Sequence, residues 1–374
     1  MRKFVLPAIA LVYCLLSAAV ADAGYIVGGK MLTSFGILSE SKERTASGRE
    51  ITSVFEGVAA HSRLFATFIT PDRSAGAHVE LGLLSFSKGA SPELRHGYGW
   101  WQYGRCRILA GHTDNWIGAL ALAPSQHVAF TPDMNAHLLL VGWGTLYLKR
   151  RPQLSFTWMS PGVGYQVAMA QPMDGANVSW GNGAVDGYAQ LPEVDLAVQF
   201  RYGGLAMIPA FMWVRHRAEG VAGGEDQVDA WALSLPAKFN FGGFSLRFAL
   251  HYTVNIAAAG GVLVPAEATP VRRSDGRFSD TSNIGGLLAL HYRFGKARLL
   301  AGFGFEHYDN DAWKTTAGTG GFSRRAFFLG GEYAVNKHFL IHPEVGSYHY
   351  GDDPSTRKSN GSELIVGVEF QFVF

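Results

Sequence analysis

Thirteen histidines, 32 basic and 30 acidic side chains are spread along 374 residues, and their spacing decides what chemistry they could do. The histidines form no Cys/His cluster of metal-site spacing. Lys358-Ser359-Asn360-Gly361 and Glu306-His307-Tyr308-Asp309-Asn310 contain the residue types of a serine hydrolase. Such sites are defined by geometry rather than co-occurrence, and no G-x-S-x-G elbow is present. Gly28-Gly29 and the other glycine pairs lack the strand–loop–helix context of a phosphate cradle. The polar residues instead recur at every second position. In the segment 191–203, Glu193, Asp195, Gln199 and Arg201 alternate with Val194, Leu196, Val198, Phe200 and Tyr202. In 244–255, Arg247, His251 and Asn255 share one face, opposite Phe244, Leu246, Phe248, Leu250 and Tyr252. His291 follows the same rule. This is a strand with one polar and one apolar face, and the chemistry it offers is that of a charged wall.

The elements that must position these charges are strands. Period-two segments occur at approximately 26–38, 61–70, 75–86, 95–103, 104–113, 152–159, 163–171, 191–202, 204–217, 228–241, 243–257, 282–294, 297–309, 324–336, 338–350 and 363–374, sixteen in all. Seven connections are tight, near Pro71-Asp72, Gly104, Pro161-Gly162, Gly203-Gly204, Gly242-Gly243, Gly295-Lys296 and Asn336-Lys337, and most carry turn-forming residues. Eight are longer: 39–60, 87–94, 114–151, 172–190, 218–227, 258–281, 310–323 and 351–362. Short and long alternate throughout, as in a barrel with short turns on one side of a membrane and long loops on the other. The last strand puts Leu364, Val366, Val368, Phe370, Phe372 and Phe374 on one face. That suits contact with lipid, and a one-residue slip would bury charge there at about 2–4 kcal/mol for Arg near the midplane. A lumen carrying so many charges is expected to be hydrated.

Composition agrees. Arg2 and Lys3, an apolar run from Phe4 to Val20 and Ala21-Asp22-Ala23 read as a cleaved secretory signal over residues 1–23. Tyr13 before Cys14 is the wrong size for a lipobox, and Cys106 is left as the single mature cysteine, so no internal disulfide is expected. Residues 24–374 form one expected domain of 351 residues, with 30 basic and 29 acidic side chains once Arg2, Lys3 and Asp22 are removed. That balance argues against a nucleic-acid partner, and nothing in the sequence calls for a cofactor. No later apolar run reaches the roughly 18–20 residues of a spanning helix, so a membrane form must be a closed sheet. The glycine and aromatic content, 46 Gly and 14 Tyr, fits a barrel. Trp100-Trp101 reads as interfacial girdle, with a sugar-stacking platform as the alternative. Asn177-Val178-Ser179 and Asn360-Gly361-Ser362 are read as polar loops.

By its strand count, loop alternation, terminal Phe374 and the longest loop after Arg105-Cys106-Arg107-Ile108-Leu109-Ala110-Gly111-His112-Thr113, the chain resembles the sixteen-stranded general porins of Gram-negative outer membranes. The resemblance implies a trimer, an outer-membrane location in contact with lipid and lipopolysaccharide, and passive diffusion of small hydrophilic solutes. It also implies that the loop 114–151 folds inward and narrows the pore. Asp114 and Asp133 are then the acidic candidates of the constriction. Arg63, Arg95, Arg105 and Arg107 are the basic ones on the wall, with His78 and Glu80 on the same inner face. Opposed charges there set a transverse field that orients polar solutes. The resemblance likewise makes Phe370, Phe372 and Phe374 a carboxyl-terminal signal for the barrel-assembly machinery. One segment departs from the pattern. His137–Leu148 is more apolar than a wet constriction needs. It is read either as the returning limb of the loop against the inner wall or as two extra strands of an eighteen-stranded selective barrel. An outer-membrane enzyme or adhesin is the remaining alternative.

Overall fold

A computed structural model describes residues 24–58, 62–84, 91–114, 150–172, 187–189, 191–218, 227–259, 268–317, 320–354 and 356–374, with single positions 144, 146, 148 and 265. Residues 1–23, read from the sequence as a secretory signal, lie outside them. Nineteen antiparallel strands make one sheet: β1 (Gly24–Glu40), β2 (Ile51–Val58), β3 (Arg63–Ile69), β4 (Ala75–Leu84), β5 (Ser91–Tyr103), β6 (Cys106–Thr113), β7 (Arg151–Ser160), β8 (Val163–Ala170), β9 (Gly187–Ala189), β10 (Glu193–Tyr202), β11 (Leu205–Met207), β12 (Ala210–Ala218), β13 (Gln227–Phe241), β14 (Phe244–Val254), β17 (Ser282–Phe294), β18 (Ala297–Asp309), β19 (Gly321–Asn336), β20 (Phe339–His349) and β21 (Ser362–Val373). β15 (Val271–Arg272) and β16 (Phe278–Ser279) form a separate hairpin, and a short helix, α1, spans Asp311–Ala317.

Three pairs of strands are halves of single staves. β2 and β3 pair with the two ends of β1, β9 and β10 both pair with β12, and β11 and β12 both pair with β13. The ring therefore has sixteen staves. It closes where β1 meets β21, from Lys30 opposite Val373 to Glu40 opposite Glu363. The last residue joins the closure, since Gly29 N donates to Phe374 O at 2.8 Å and Phe374 N to Gly29 O at 3.1 Å. The breaks have local causes. Pro209 lacks an N–H and separates β11 from β12, and Pro192 precedes β10. Ser62 stands in for the ladder next to β3, its hydroxyl accepting from Leu32 N at 2.9 Å.

The tight turns gather at one end. Gly104 and Gly242 sit at φ of 56° and 55°, a left-handed conformation that costs glycine little. In the turn after β3, Ser74 N donates to Asp72 at 3.1 Å and the Thr70 hydroxyl at 2.7 Å. The Ser74 and Thr70 hydrogen bonds hold the Asp72 carboxyl low, at about 2. Arg73 then takes a positive φ of 57°.

Faces follow the alternation. Leu196, Phe200, Leu250, Tyr252, Leu364 and Val366 are exposed on the outside, while Glu193, Asp195, Arg247, His251 and Glu369 are buried on the inside. An apolar exterior of this extent is the surface a barrel presents to lipid. Among the described residues no helix is long and apolar enough to cross a membrane.

Two expectations need correction. The polar-looking connection 39–60 contributes β2 to the second stave. The inner wall is also not uniformly wet. Met212, Val214, Ala230 and Ala232 form an apolar strip on the inner face, and Leu146 and Leu148 of the long loop pack on it with Ile256 and Ala258. The apolar segment 137–148 therefore contributes a limb against the inner wall, through its described positions, and the sheet closes without it. The eighteen-stranded alternative is not supported.

Candidate pore-lining site

Between β4 and β5 the register passes from Glu80 opposite His96 to Leu81 opposite Leu94, leaving Arg95 as an extra residue. This bulge brings Arg95 and His96 to Glu80 together. Arg95 Nε donates to Glu80 Oε1 at 2.7 Å, and Arg63 Nη1 lies 3.4 Å from the same oxygen. Glu80 and Arg95 are 7% and 8% exposed, whereas the Arg63 side chain is 31% exposed. His96 Nε2 stands 3.9 Å from Glu80 and 3.8 Å from Asp114. Arg150, entering the stave after the long loop, donates from Nε to His96 Nε2 at 3.0 Å and lies 3.4 Å from Asp114. His96 must then carry its proton on Nδ1, which faces the Thr113 hydroxyl at 2.8 Å. Three guanidinium groups, two carboxylates and an imidazole thus form one chain along the inner wall.

A second group continues it. His78 Nδ1 is 2.7 Å from the Thr67 hydroxyl, and its ring packs between Phe65 and Tyr98, with centroids 6.0 and 5.4 Å away. Arg107 lies over Trp100 at 4.9 Å and has no acidic partner among the described residues. Trp100 and Trp101 therefore divide their work: Trp101 is exposed outside and stacks with Tyr103, while Trp100 lines the inside.

The six wall candidates do not all converge. Arg63, Glu80 and Arg95 share one cluster with Asp114, and His78 and Arg107 extend it. Arg105 does not join. It occupies the exposed turn between β5 and β6, its carbonyl accepting from Met159 N at 2.9 Å, so the inner-face assignment of Arg105 is corrected. Asp133 lies outside the described residues. The sequence reading also missed His96 and Arg150. Replacing Arg107 by serine is expected to move the reversal potential under a salt gradient towards cations, and Arg105→Ser to leave it unchanged; equal shifts would contradict this placement.

The long loop leaves from β6, the fifth stave, and reaches the wall again far around the ring. Gly144 N donates to Glu306 Oε1 at 3.1 Å on β18, the thirteenth stave. Eight staves of sixteen is half the circumference, so this contact lies across the lumen. Glu306 is also bound by Arg324, and Tyr308 donates to it at 2.9 Å. Next to it, His251 Nε2 and Asn283 Oδ1 are 2.6 Å apart. Gly144 itself is at φ of 90°, close against the backbone of Gly286.

A closed sixteen-stave antiparallel ring, with tight turns at one end and a loop from the fifth stave anchored across its interior, is now complete. The fold is that of a porin. Superposition on the outer membrane channel DcaP of Acinetobacter baumannii gives a TM-score of 0.75 at 14% identity, over 95% of this chain and 98% of that one. The anion-selective porin of Comamonas acidovorans gives 0.61 at 14% identity, over 94% and 100%. OmpF of Salmonella typhi, solved with daunomycin, gives 0.55 at 13% identity, over 94% and 98%. No family model matches the chain, and no curated protein does. At these identities the porin fold is shared while the side chains of the wall are this chain's own.

Proposed function

We propose that this chain is an outer-membrane porin, a water-filled channel through which small hydrophilic solutes and ions diffuse passively. The observation that carries the reading is the loop anchored across the lumen at Gly144 and Glu306, because a barrel interior bridged at one level becomes a graded constriction. The chain of charges from Arg63 to Arg150 at the loop's departure gives the wall there a polar, charged surface, which favours polar solutes over apolar ones. On this reading the tight turns face the periplasm and the long loops the outside, and residues 1–23 are the signal that exports a single-domain chain. The fold likeness to a trimer form of OmpT from Vibrio cholerae supports a homotrimer, in contact with lipid and lipopolysaccharide. An enzymatic role is not part of this reading. Liposomes loaded with sugars of graded size should swell when the purified protein is inserted, faster for smaller sugars; inserted protein that gives no swelling would overturn it.

Assembly offers a separate check. Phe374 closes the ring through two backbone hydrogen bonds, and Phe370 and Phe372 pack on Phe339, with centroids 6.2 and 4.7 Å away. As the proposed signal for the barrel-assembly machinery, this end should be sensitive. Deleting Phe374 is expected to lower outer-membrane insertion well below that of Gln371→Asn, measured as heat-modifiable protein in membrane fractions, and equal insertion would count against the signal.

A further inference from the structure

The turn end of the inner wall carries charges that the constriction does not use. Arg247 on β14 faces Lys238 of β13 directly in register, and Ser245, two residues before it, faces His291 of β17. On the next pair Arg293 faces Arg298, and Arg298 in turn faces Glu332 of β19, to which it is bonded at 2.5 Å. The turn halves of β13, β14, β17 and β18 thus hold Lys238, Arg247, His291, Arg293 and Arg298, and their sequences contain no carboxylate there.

Arg247 is the exception within this basic patch. It is only 3% exposed, and its Nε and Nη1 have no hydrogen-bond partner. No ion pair reaches it among the described residues. A buried charge without a counter-ion is costly even after relaxation. Its nearest ionisable neighbours are cations, so they add to the cost. Water can satisfy the N–H groups but cannot neutralise the field. An oxyanion does both, and guanidinium donors match carboxylate and phosphate oxygens in direction and charge.

We propose that Arg247 is the centre of an internal oxyanion site on the turn half of the channel wall, with Lys238 as its second cation, which takes a carboxylate or phosphate group from the permeating stream. The inference rests on the channel reading above. Its consequence is saturable handling of oxyanions by a pore that passes chloride freely. Anions collected at Arg247 dwell there and hold back the current.

The test uses the full chain in planar bilayers, with potassium chloride current as the baseline and inorganic phosphate or acetate added as probes. Phosphate should reduce the chloride current along a saturating curve, and acetate should do so more weakly if charge on the anion governs binding. In Arg247→Gln the half-saturating phosphate concentration should rise about tenfold or more, the loss of one charge-assisted bond. In Lys238→Gln it should rise by less. Lys238→Gln also serves if Arg247→Gln does not assemble. A phosphate curve that is linear in the wild type, or identical in the wild type and in Lys238→Gln, overturns the site while leaving the channel intact. Inserted protein with no chloride current overturns the channel reading and the site together.

Discussion

Replacing Gly144 by alanine is expected to release the long loop from the far wall and raise single-channel conductance. A Cβ built on Gly144 would lie 1.9 Å from the Gly286 carbonyl oxygen and 2.4 Å from its carbon, which are backbone atoms of a paired stave and cannot rotate away. The φ of 90° is also one that alanine resists. Overpacking of this kind costs about 1–3 kcal/mol. Moving Gly144 would further break its hydrogen bond to the Glu306 carboxylate, worth roughly 1.5–3 kcal/mol for a charged acceptor. The loop has Leu146 and Leu148 on the inner apolar strip as its remaining described anchors. The variant should show larger and noisier open-channel currents and admit larger sugars in the swelling assay, with heat-modifiability of the barrel retained. Wild-type conductance and size cut-off in Gly144→Ala would mean that this contact does not set the constriction.

Removing the Glu80 carboxylate should have the largest effect on selectivity. Glu80 faces Arg95 at 2.7 Å, Arg63 at 3.4 Å and His96 at 3.9 Å, so Glu80→Gln leaves two guanidinium groups without their shared counter-charge. A unit charge about 4 Å from a permeating ion contributes on the order of 1 kcal/mol in water-like surroundings, roughly a fivefold change in permeability ratio. The reversal potential in a potassium chloride gradient at low salt should therefore move towards anions. The shift should shrink near 1 M salt, where the screening length falls to about 3 Å. The glutamine amide keeps an oxygen for Arg95, so assembly should survive. An unchanged reversal potential at low salt would place this cluster away from the ion path.

Much of this architecture could be read from the chain because each stave repeats the same simple signal. Alternation fixed which face of Glu193–Tyr202 and Phe244–Val254 points inward, and the glycines at 104, 203, 242 and 295 marked the turns. The readings that failed did so where one residue breaks the period. Arg95 and Trp101 are six apart, so strict alternation puts them on one face; an inward arginine and an outward tryptophan require an inserted residue between them. That conflict of phase was the available sign of the bulge, and following it would have revealed His96. Arg105 was misplaced because the strand was started at Gly104, the very residue whose positive φ makes the turn. β2 was missed because its apolar residues, Ile51, Val54, Phe55 and Val58, do not keep period two. The anchor of the long loop was beyond sequence reasoning, since nothing in Gly144 alone indicates Glu306, 162 residues away. The apolar run 137–148 was legible, but its partner strip of Met212, Val214, Ala230 and Ala232 is spread over two staves.

The central claim is that this barrel is an open, loop-narrowed path for ions. The direct measurement is single-channel recording of the purified full chain in planar bilayers, with no energy source and no added solute. Discrete, stepwise increases in current that scale with salt concentration are the expected result. Protein that inserts as a heat-modifiable barrel yet gives no current steps would contradict it.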